Sequence, residues 1–203
     1  MTLSILIPAY NPGKWLRGIM DSIVAQIDRY PDTEIIVVDD GSAEDLRWVA
    51  DFPHTRYIRT DNCGVSHARN ILMGEARGEY IQFIDSDDEI YPNALDVIYS
   101  NIRDGYDFVS YEFDTDHNTK RSAHKYGQLA INYTLWSYTF HKAIGKGERF
   151  NESMKVGCDV DWLDRVLSAD MKHKHDDRVW YNYRFDGNEQ SLCHQFLRGE
   201  IKC

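Results

Sequence analysis

Along the first half of the chain, short apolar runs alternate with stretches whose apolar residues recur every three or four positions. Leu3-Ser4-Ile5-Leu6-Ile7 is a run of the first kind, closed by Pro8 and the turn-rich Ala9-Tyr10-Asn11-Pro12-Gly13. Over residues 14–30, Trp15, Ile19, Ile23 and Ile27 fall at every fourth place with Leu16, Met20 and Val24 beside them, which predicts a helix with one broad apolar face. Glu34-Ile35-Ile36-Val37-Val38 predicts a second strand, buried on both sides because its β-branched run is almost unbroken, and it stops at Asp39-Asp40-Gly41. Ser42, with Asp45 three residues on, predicts a capping box for a short helix through Trp48 and Val49.

Arg56-Tyr57-Ile58-Arg59 reads as a third strand. Gly64 leads into a helix from about Ser66 carrying Ala68, Ile71, Leu72 and Ala76, with Gly78 as its stop. Tyr80-Ile81-Gln82-Phe83-Ile84 predicts a buried strand that runs straight into Asp85-Ser86-Asp87-Asp88. Pro92 then opens a helix lined by Leu95, Ile98 and Ile102, and residues 107–113 read as another strand. Residues 114–128 are polar and patternless, which predicts a long loop. Residues 133–140 are aromatic-rich without a clear period, 159–167 look helical and 178–185 look like a final strand.

Strands alternating with helices imply an α/β fold with a mostly parallel sheet flanked by helices on both faces. Ligands in such sheets bind beyond the carboxyl ends of the strands. Residues 8–13, 39–42 and 85–88 all lie at those ends and are expected to meet at one crevice.

Composition narrows the class. With 203 residues, 42% hydrophobic and 13% aromatic, the chain fits one domain with a real core and a small C-terminal extension. No run reaches the eighteen or so apolar residues of a membrane span. A formal charge of −10 argues against a general nucleic-acid binder. Cys63, Cys158, Cys193 and Cys203 have no zinc-type or CxxC spacing, so reduced thiols in a cytoplasmic protein are expected, and the N-terminus has no signal-peptide pattern.

Three carboxylates within four positions repel one another unless they lie in water or meet a cation. A divalent metal carrying phosphates would answer that, and a solvated acidic turn would too. The turn after the first strand lacks GxGxxG, and no GxxxxGK[ST] occurs, which disfavours dinucleotide cofactors and phosphate-loop ATPases.

Four stretches in order, Ser4-Ile5-Leu6-Ile7-Pro8-Ala9-Tyr10-Asn11, Glu34-Ile35-Ile36-Val37-Val38-Asp39-Asp40-Gly41-Ser42, Asn62-Cys63-Gly64-Val65-Ser66-His67-Ala68-Arg69-Asn70 and Phe83-Ile84-Asp85-Ser86-Asp87-Asp88, resemble the successive motifs of family 2 glycosyltransferases with the GT-A fold. The resemblance implies that Pro8, Ala9, Tyr10 and Asn11 flank a nucleotide base, with Tyr10 placed to stack on it. It implies that Asp39 accepts a hydrogen bond from the base, which suits the ring N–H of uracil and favours a UDP-sugar over a GDP-sugar. It implies that Gly64 allows close backbone approach and that Arg69 faces the nucleotide or its phosphates. Asp85 and Asp87 would form a DxD motif for Mn²⁺ or Mg²⁺, with Asp87 the direct ligand, Asp85 toward ribose or a metal-bound water, and Asp88 in support.

The same resemblance sets Phe150-Asn151-Glu152 before Gly157-Cys158-Asp159-Val160-Asp161, where Asp159 takes the place of the general base that activates the acceptor. A helix start is a favourable place for that carboxylate, and Asp161 is the fallback. Cys158 stands where the family usually has Glu, which leaves open a binding module that keeps the fold without turnover. A related nucleotidyltransferase is a third reading, disfavoured because it would need a basic, glycine-rich first turn.

Residues 1–113 would form the nucleotide-sugar half and 114–203 the acceptor side, for a glycan or another hydroxyl-bearing acceptor. Trp136 and Tyr138 suit either core or a sugar platform. Residues 173–177 look like a solvated turn, His67 like a structural residue, and His194 a candidate further metal ligand. The short region after Asp159 leaves little room for a large acceptor domain, which points to a partner or a homo-oligomer completing the site.

Overall fold

Ile35, Ile36, Val37 and Val38 are all fully buried, and they divide by parity: Ile35 and Val37 join one apolar cluster, Ile36 and Val38 another. That is the signature of a strand covered on both faces. The computed structural model describes residues 1–116, 124–126, 129–131, 134–168, 170–184, 195 and 198–199.

Twelve strands and four α-helices are described. The strands are β1 (Leu3–Ala9), β2 (Thr33–Asp39), β3 (Thr55–Arg59), β4 (Tyr80–Phe83), β5 (Glu89–Ile90), β6 (Phe108–Tyr111), β7 (Asp114–Thr115), β8 (His124–Tyr126), β9 (Leu129–Ile131), β10 (Tyr138–His141), β11 (His173–Asp176) and β12 (Tyr181–Tyr183). The helices are α1 (Trp15–Ile27), α2 (Val65–Glu75), α3 (Ala94–Arg103) and α4 (Cys158–Val166). The main sheet has seven strands in the order β11-β6-β10-β4-β1-β2-β3. Every pairing in it is parallel except the two made by β10. β5, β12 and β7 form a small second sheet.

Helices α1 and α3 supply one core, where Leu16, Ile19, Ile23, Leu95 and Ile98 meet Ile5, Ile7, Ile35 and Val37. Helices α2 and α4 supply the other, where Ala68, Leu72, Trp162 and Leu163 meet Leu6, Ile36, Phe83 and Phe140. Each of these large side chains contributes about 1.5–3 kcal/mol by leaving water, an upper figure because the unfolded chain is already partly collapsed.

Several expectations need correction. Ser42 caps no helix: its Oγ accepts the Asn11 N–H at 2.9 Å, and the helical turn begins later, as a 3-10 segment at Arg47–Asp51. Helix α2 stops at Glu75, short of Gly78. The stretch expected to be a long loop, residues 114–128, contains β7 and β8, and β9 follows directly after it. Residues 173–176 form an edge strand, not a solvated turn, because their polar side chains find partners: His175 Nδ1 lies 2.9 Å from Ser110 Oγ, and the buried Asp176 accepts from Asn101 at 2.7 Å. Trp136 and Tyr138 are 2% and 0% exposed, so both belong to the core and neither offers a face to a sugar.

Candidate active site

Strands β1 and β2 run in register, with Ala9 opposite Asp39, so their carboxyl ends open together. Pro8 and Ala9 are the buried last residues of β1. Tyr10 follows with 54% of its surface exposed, one of two large exposed hydrophobics among the described residues. Asn11 turns the chain at φ +47°, a conformation that asparagine tolerates, and its Oδ1 accepts the Ala43 N–H at 2.8 Å. The turns after β1 and β2 are therefore fastened to each other.

Asp39 is fully buried. Its Oδ1 accepts the Ser42 N–H at 2.8 Å, and its Oδ2 accepts Tyr57 Oη at 2.6 Å and Arg59 at 2.5 Å. Burial alone would raise its carboxyl, but the Tyr57 and Ser42 hydrogen bonds and the Arg59 charge outweigh it, leaving the group below the ordinary carboxylate range. A base N–H reaches Asp39 only if Arg59, itself half exposed, turns aside. A cleft of about 350 Å³ opens here, lined among others by Ser42, Glu44, Arg47, Tyr57 and Arg59. Sequence reading passed over Tyr57 and Arg59, although Arg59 stands opposite Asp39 in the β2–β3 register.

Asp40, also buried, accepts the Cys63 and Gly64 N–H groups at 2.9 and 2.8 Å and so fixes the entry to α2. Gly64 needs its freedom for φ +96°; a Cβ there would touch no protein atom. The close approach instead falls at Gly41, where a Cβ would stand 2.7 Å from the Asn62 backbone nitrogen.

Helix α2 then delivers Arg69, 4% exposed, to the middle of an acidic set. Arg69 forms a short ion pair with Asp159 Oδ1, lies 3.6 Å from Asp85 Oδ1 and donates to Cys158 Sγ at 3.2 Å. Asp159 Oδ2 accepts the Leu135 N–H at 3.1 Å. Asp85 has its carboxyl pushed up to about 7: burial is the main cause, opposed by Arg69 and reinforced by the charges of Asp87 and Asp159. The acidic loop and the start of α4 thus face one another across Arg69. Asp161, the fallback, instead pairs with Arg165 at 2.9 Å one turn along the outer side of α4.

Asp88 turns inward, 2% exposed, and accepts Tyr181 Oη at 2.6 Å and the Arg184 N–H at 2.9 Å. Burial first, and then Asp87 and Asp85, hold its carboxyl well above the ordinary range. His67 Nδ1 lies 3.1 Å from Glu152 Oε2, and Glu152 Oε1 accepts Asn70 Nδ2 at 2.7 Å, so these residues brace the segment leading to α4. His194 lies outside the described residues.

The donor set suits a hard divalent cation. Asp85 and Asp87 offer carboxylate oxygens, the hard ligands such an ion takes, on one short loop. Among the described residues no three His, Cys, Asp or Glu side chains form a metal cage, so such a cation would complete its shell with diphosphate and water oxygens.

A mostly parallel sheet with an acidic loop where β4 ends, facing a helix-borne acid, defines the GT-A class of protein. Residues 4–165 match the family described as Glycosyl transferase family 2, and the chain belongs to that family. It is 28% identical to a chondroitin synthase of Escherichia coli over 94% of this chain and 30% of that protein. It is 37% identical to the glycosyltransferase YibD of Escherichia coli over 47% of this chain and 29% of that one. The match thus spans less than a third of the length of each of these two relatives. Among solved structures, S. aureus TarS residues 1–349 in complex with UDP-GlcNAc superposes with a TM-score of 0.76 at 22% identity, over 91% of this chain and 58% of that one. No described helix is long and apolar enough to cross a membrane.

Proposed function

We propose that this chain is the catalytic unit of a metal-dependent, inverting glycosyltransferase that moves a sugar from a UDP-sugar to an acceptor hydroxyl. The observation that carries the proposal is Arg69, which draws Asp85 of the acidic loop and Asp159 of α4 to one buried point from stretches far apart in the chain. A surface turn and a helix-end charge would have no reason to share a buried guanidinium.

On this reading residues 1–113 hold the donor and 114–203 the acceptor side, in the cytoplasm, where Cys63 and Cys158 stay as thiols. Tyr10 offers an exposed ring to the base, with Pro8, Ala9 and Asn11 shaping the turn beneath it and the Asp39–Arg59 pair at its edge. The Gly64 backbone borders the nucleotide with no side chain in the way. Asp87, with Asp85, would hold Mn²⁺ or Mg²⁺, which supplies Lewis acidity at the departing diphosphate. Arg69 adds a fixed positive charge on the same side. Asp159 takes the proton of the acceptor hydroxyl, which attacks the anomeric carbon from the face opposite the leaving group and inverts it. The UDP-GlcNAc complex of TarS supports a UDP-sugar donor, and the chondroitin synthase relative supports a glycan acceptor.

A nucleotide-sugar-binding module without turnover is the second reading, favoured by Cys158 and by the Arg69 pairing that occupies Asp159. A panel of nucleotide sugars with candidate glycan acceptors, with and without Mn²⁺, separates the two. Metal-dependent release of UDP that disappears in Asp159→Asn supports the enzyme. Donor binding without release under any acceptor supports the module.

A further inference from the structure

The 3-10 turn at Leu135–Ser137 touches both halves of the candidate site. Its Leu135 N–H holds Asp159 Oδ2 at 3.1 Å. Its Trp136 ring lies flat on Tyr181, with centroids 4.3 Å apart and planes 2° from parallel, and also stacks with the Tyr183 ring at 5.6 Å. Phe113 closes the edge of Trp136 at 4.6 Å. The turn is also fastened to β4, the strand that delivers the acidic loop: buried Gln82 donates through Nε2 to the Trp136 carbonyl at 2.7 Å and accepts Thr139 Oγ1 through Oε1 at 2.7 Å.

Tyr181 carries the connection onward. Its hydroxyl donates to Asp88 Oδ2 at 2.6 Å and accepts the Asp85 N–H at 3.2 Å, so one buried oxygen grips both ends of the 85–88 loop. Packing needs only the ring, which phenylalanine would supply. The hydroxyl is expensive to bury unless it is used, and both of its uses lie on the acidic loop.

We propose that Tyr181, held flat by Trp136, is a positioning residue that sets the acidic loop at a fixed separation from Asp159, with the Leu135–Ser137 turn as the spacer. The proposal rests on the reading of Asp85 and Asp87 as the cation loop and of Asp159 as the base. Tyr181 acts through Asp88 and the Asp85 backbone, is 1% exposed and touches no substrate itself. Side chains behind metal ligands tune affinity because they fix where the ligand oxygens stand.

The test is Tyr181→Phe on the full chain, which keeps the ring stack and removes one oxygen. Mn²⁺ affinity is read by electron paramagnetic resonance titration in the presence of UDP, and the Asp85 amide by hydrogen exchange. We expect Mn²⁺ binding to weaken about tenfold or more and Asp85 amide exchange to quicken by about tenfold. Unchanged Mn²⁺ affinity, whether or not exchange quickens, overturns the proposal by making Tyr181 structural only. If wild type binds no Mn²⁺, the cation reading fails by itself, and the exchange measurement alone decides whether Tyr181 holds the loop. If Tyr181→Phe does not fold, Asp88→Asn, which keeps shape and weakens the same bond, is read by the same two measurements.

Discussion

Arg69 is ion-paired with Asp159 while its guanidinium stands 3.6 Å from Asp85, and its own side chain is only 5% exposed. One cation thus serves two acids on opposite sides of the candidate site. Removing it by Arg69→Met strands both carboxylates in a partly dry setting, where breaking a pair costs about 3–5 kcal/mol. Arg165→Ala removes exposed ion pairs to Asp161 and Glu148 and a bond to the Arg149 carbonyl on the outside of α4, where such pairs are worth about 0.2–1 kcal/mol each. Urea denaturation of the two variants is expected to show the first far below wild type and the second close to it.

Asp159→Asn keeps the shape and a carbonyl oxygen for the Leu135 N–H but loses both the proposed proton acceptor and the charge that pairs Arg69, so urea denaturation run beside the activity assay separates the chemical loss from the structural one. On the proposed reading turnover falls by about 10²–10⁴-fold, whereas UDP affinity, assigned there to the donor side, stays near wild type by calorimetry. The matching change Asp161→Asn disturbs only the Arg165 pair and is expected to leave turnover within about twofold.

On the proposed reading, Asp85 would make the cation site pH-sensitive. Its carboxyl lies at about 7 in the folded chain against 3.8 for an ordinary one, so the folded state binds the proton more tightly. Between those values, stability without metal falls as pH rises, because ionisation charges a carboxyl shut off from water and set beside Asp87 and Asp159. A cation competes with that proton. Mn²⁺ binding is therefore expected to release up to one proton below pH 7 and to strengthen by up to about tenfold per pH unit there, flattening above. Titration calorimetry at pH 6 in buffers of different ionisation enthalpy counts the protons, and a count of zero would remove Asp85 from the site.

Much of this arrangement is legible in the sequence and some is not, for physical reasons. Ile35 to Val38 announce a doubly covered strand because burial on both faces demands an unbroken apolar run. Strand β11 hides because an edge strand needs no such run: Lys174 and Asp176 are satisfied from α3 by Asn101. The cap expected at Ser42 fails because its hydroxyl is taken from across the sheet by Asn11, a partner 31 positions away. Pro8, Ala9, Tyr10 and Asn11 are indeed collected at the β1 end, but the cover that Arg59 gives Asp39 follows from strand register, which no local pattern encodes. The pairing of Arg69 with Asp159 spans 90 positions and is equally silent in one sequence.

Gly41 and Gly64 flank the turns that Asp40 ties together, and each needs glycine for a different reason, which predicts different penalties. Gly64→Ala meets no protein atom and bears only the strain of φ +96° with ψ +162°, a region essentially confined to glycine, about 1–3 kcal/mol. Gly41→Ala adds to its own φ of +79° a contact of 2.7 Å with the Asn62 backbone, which is no flexible side-chain tip and cannot swing away. Melting temperatures are expected in the order wild type, Gly64→Ala, Gly41→Ala.

Asn70 is a further residue whose loss is expected to act at a distance. Its Oδ1 accepts the Phe150 N–H at 2.8 Å, and its Nδ2 donates to the Phe150 carbonyl at 3.0 Å and to Glu152 at 2.7 Å. This clamp ties the segment before Asp159 to α2, one residue from Arg69. Asn70→Ala leaves the buried Phe150 peptide groups unpaired, each costing about 1–3 kcal/mol, and frees the lead-in to α4. Turnover is expected to fall more than UDP affinity, since the β1 and β2 ends are untouched. Asn70→Asp restores the acceptor for the Phe150 N–H but sets a charge against Glu152, and is expected to do no better than alanine. Equal losses of turnover and UDP affinity in Asn70→Ala would show instead that α2 as a whole had shifted.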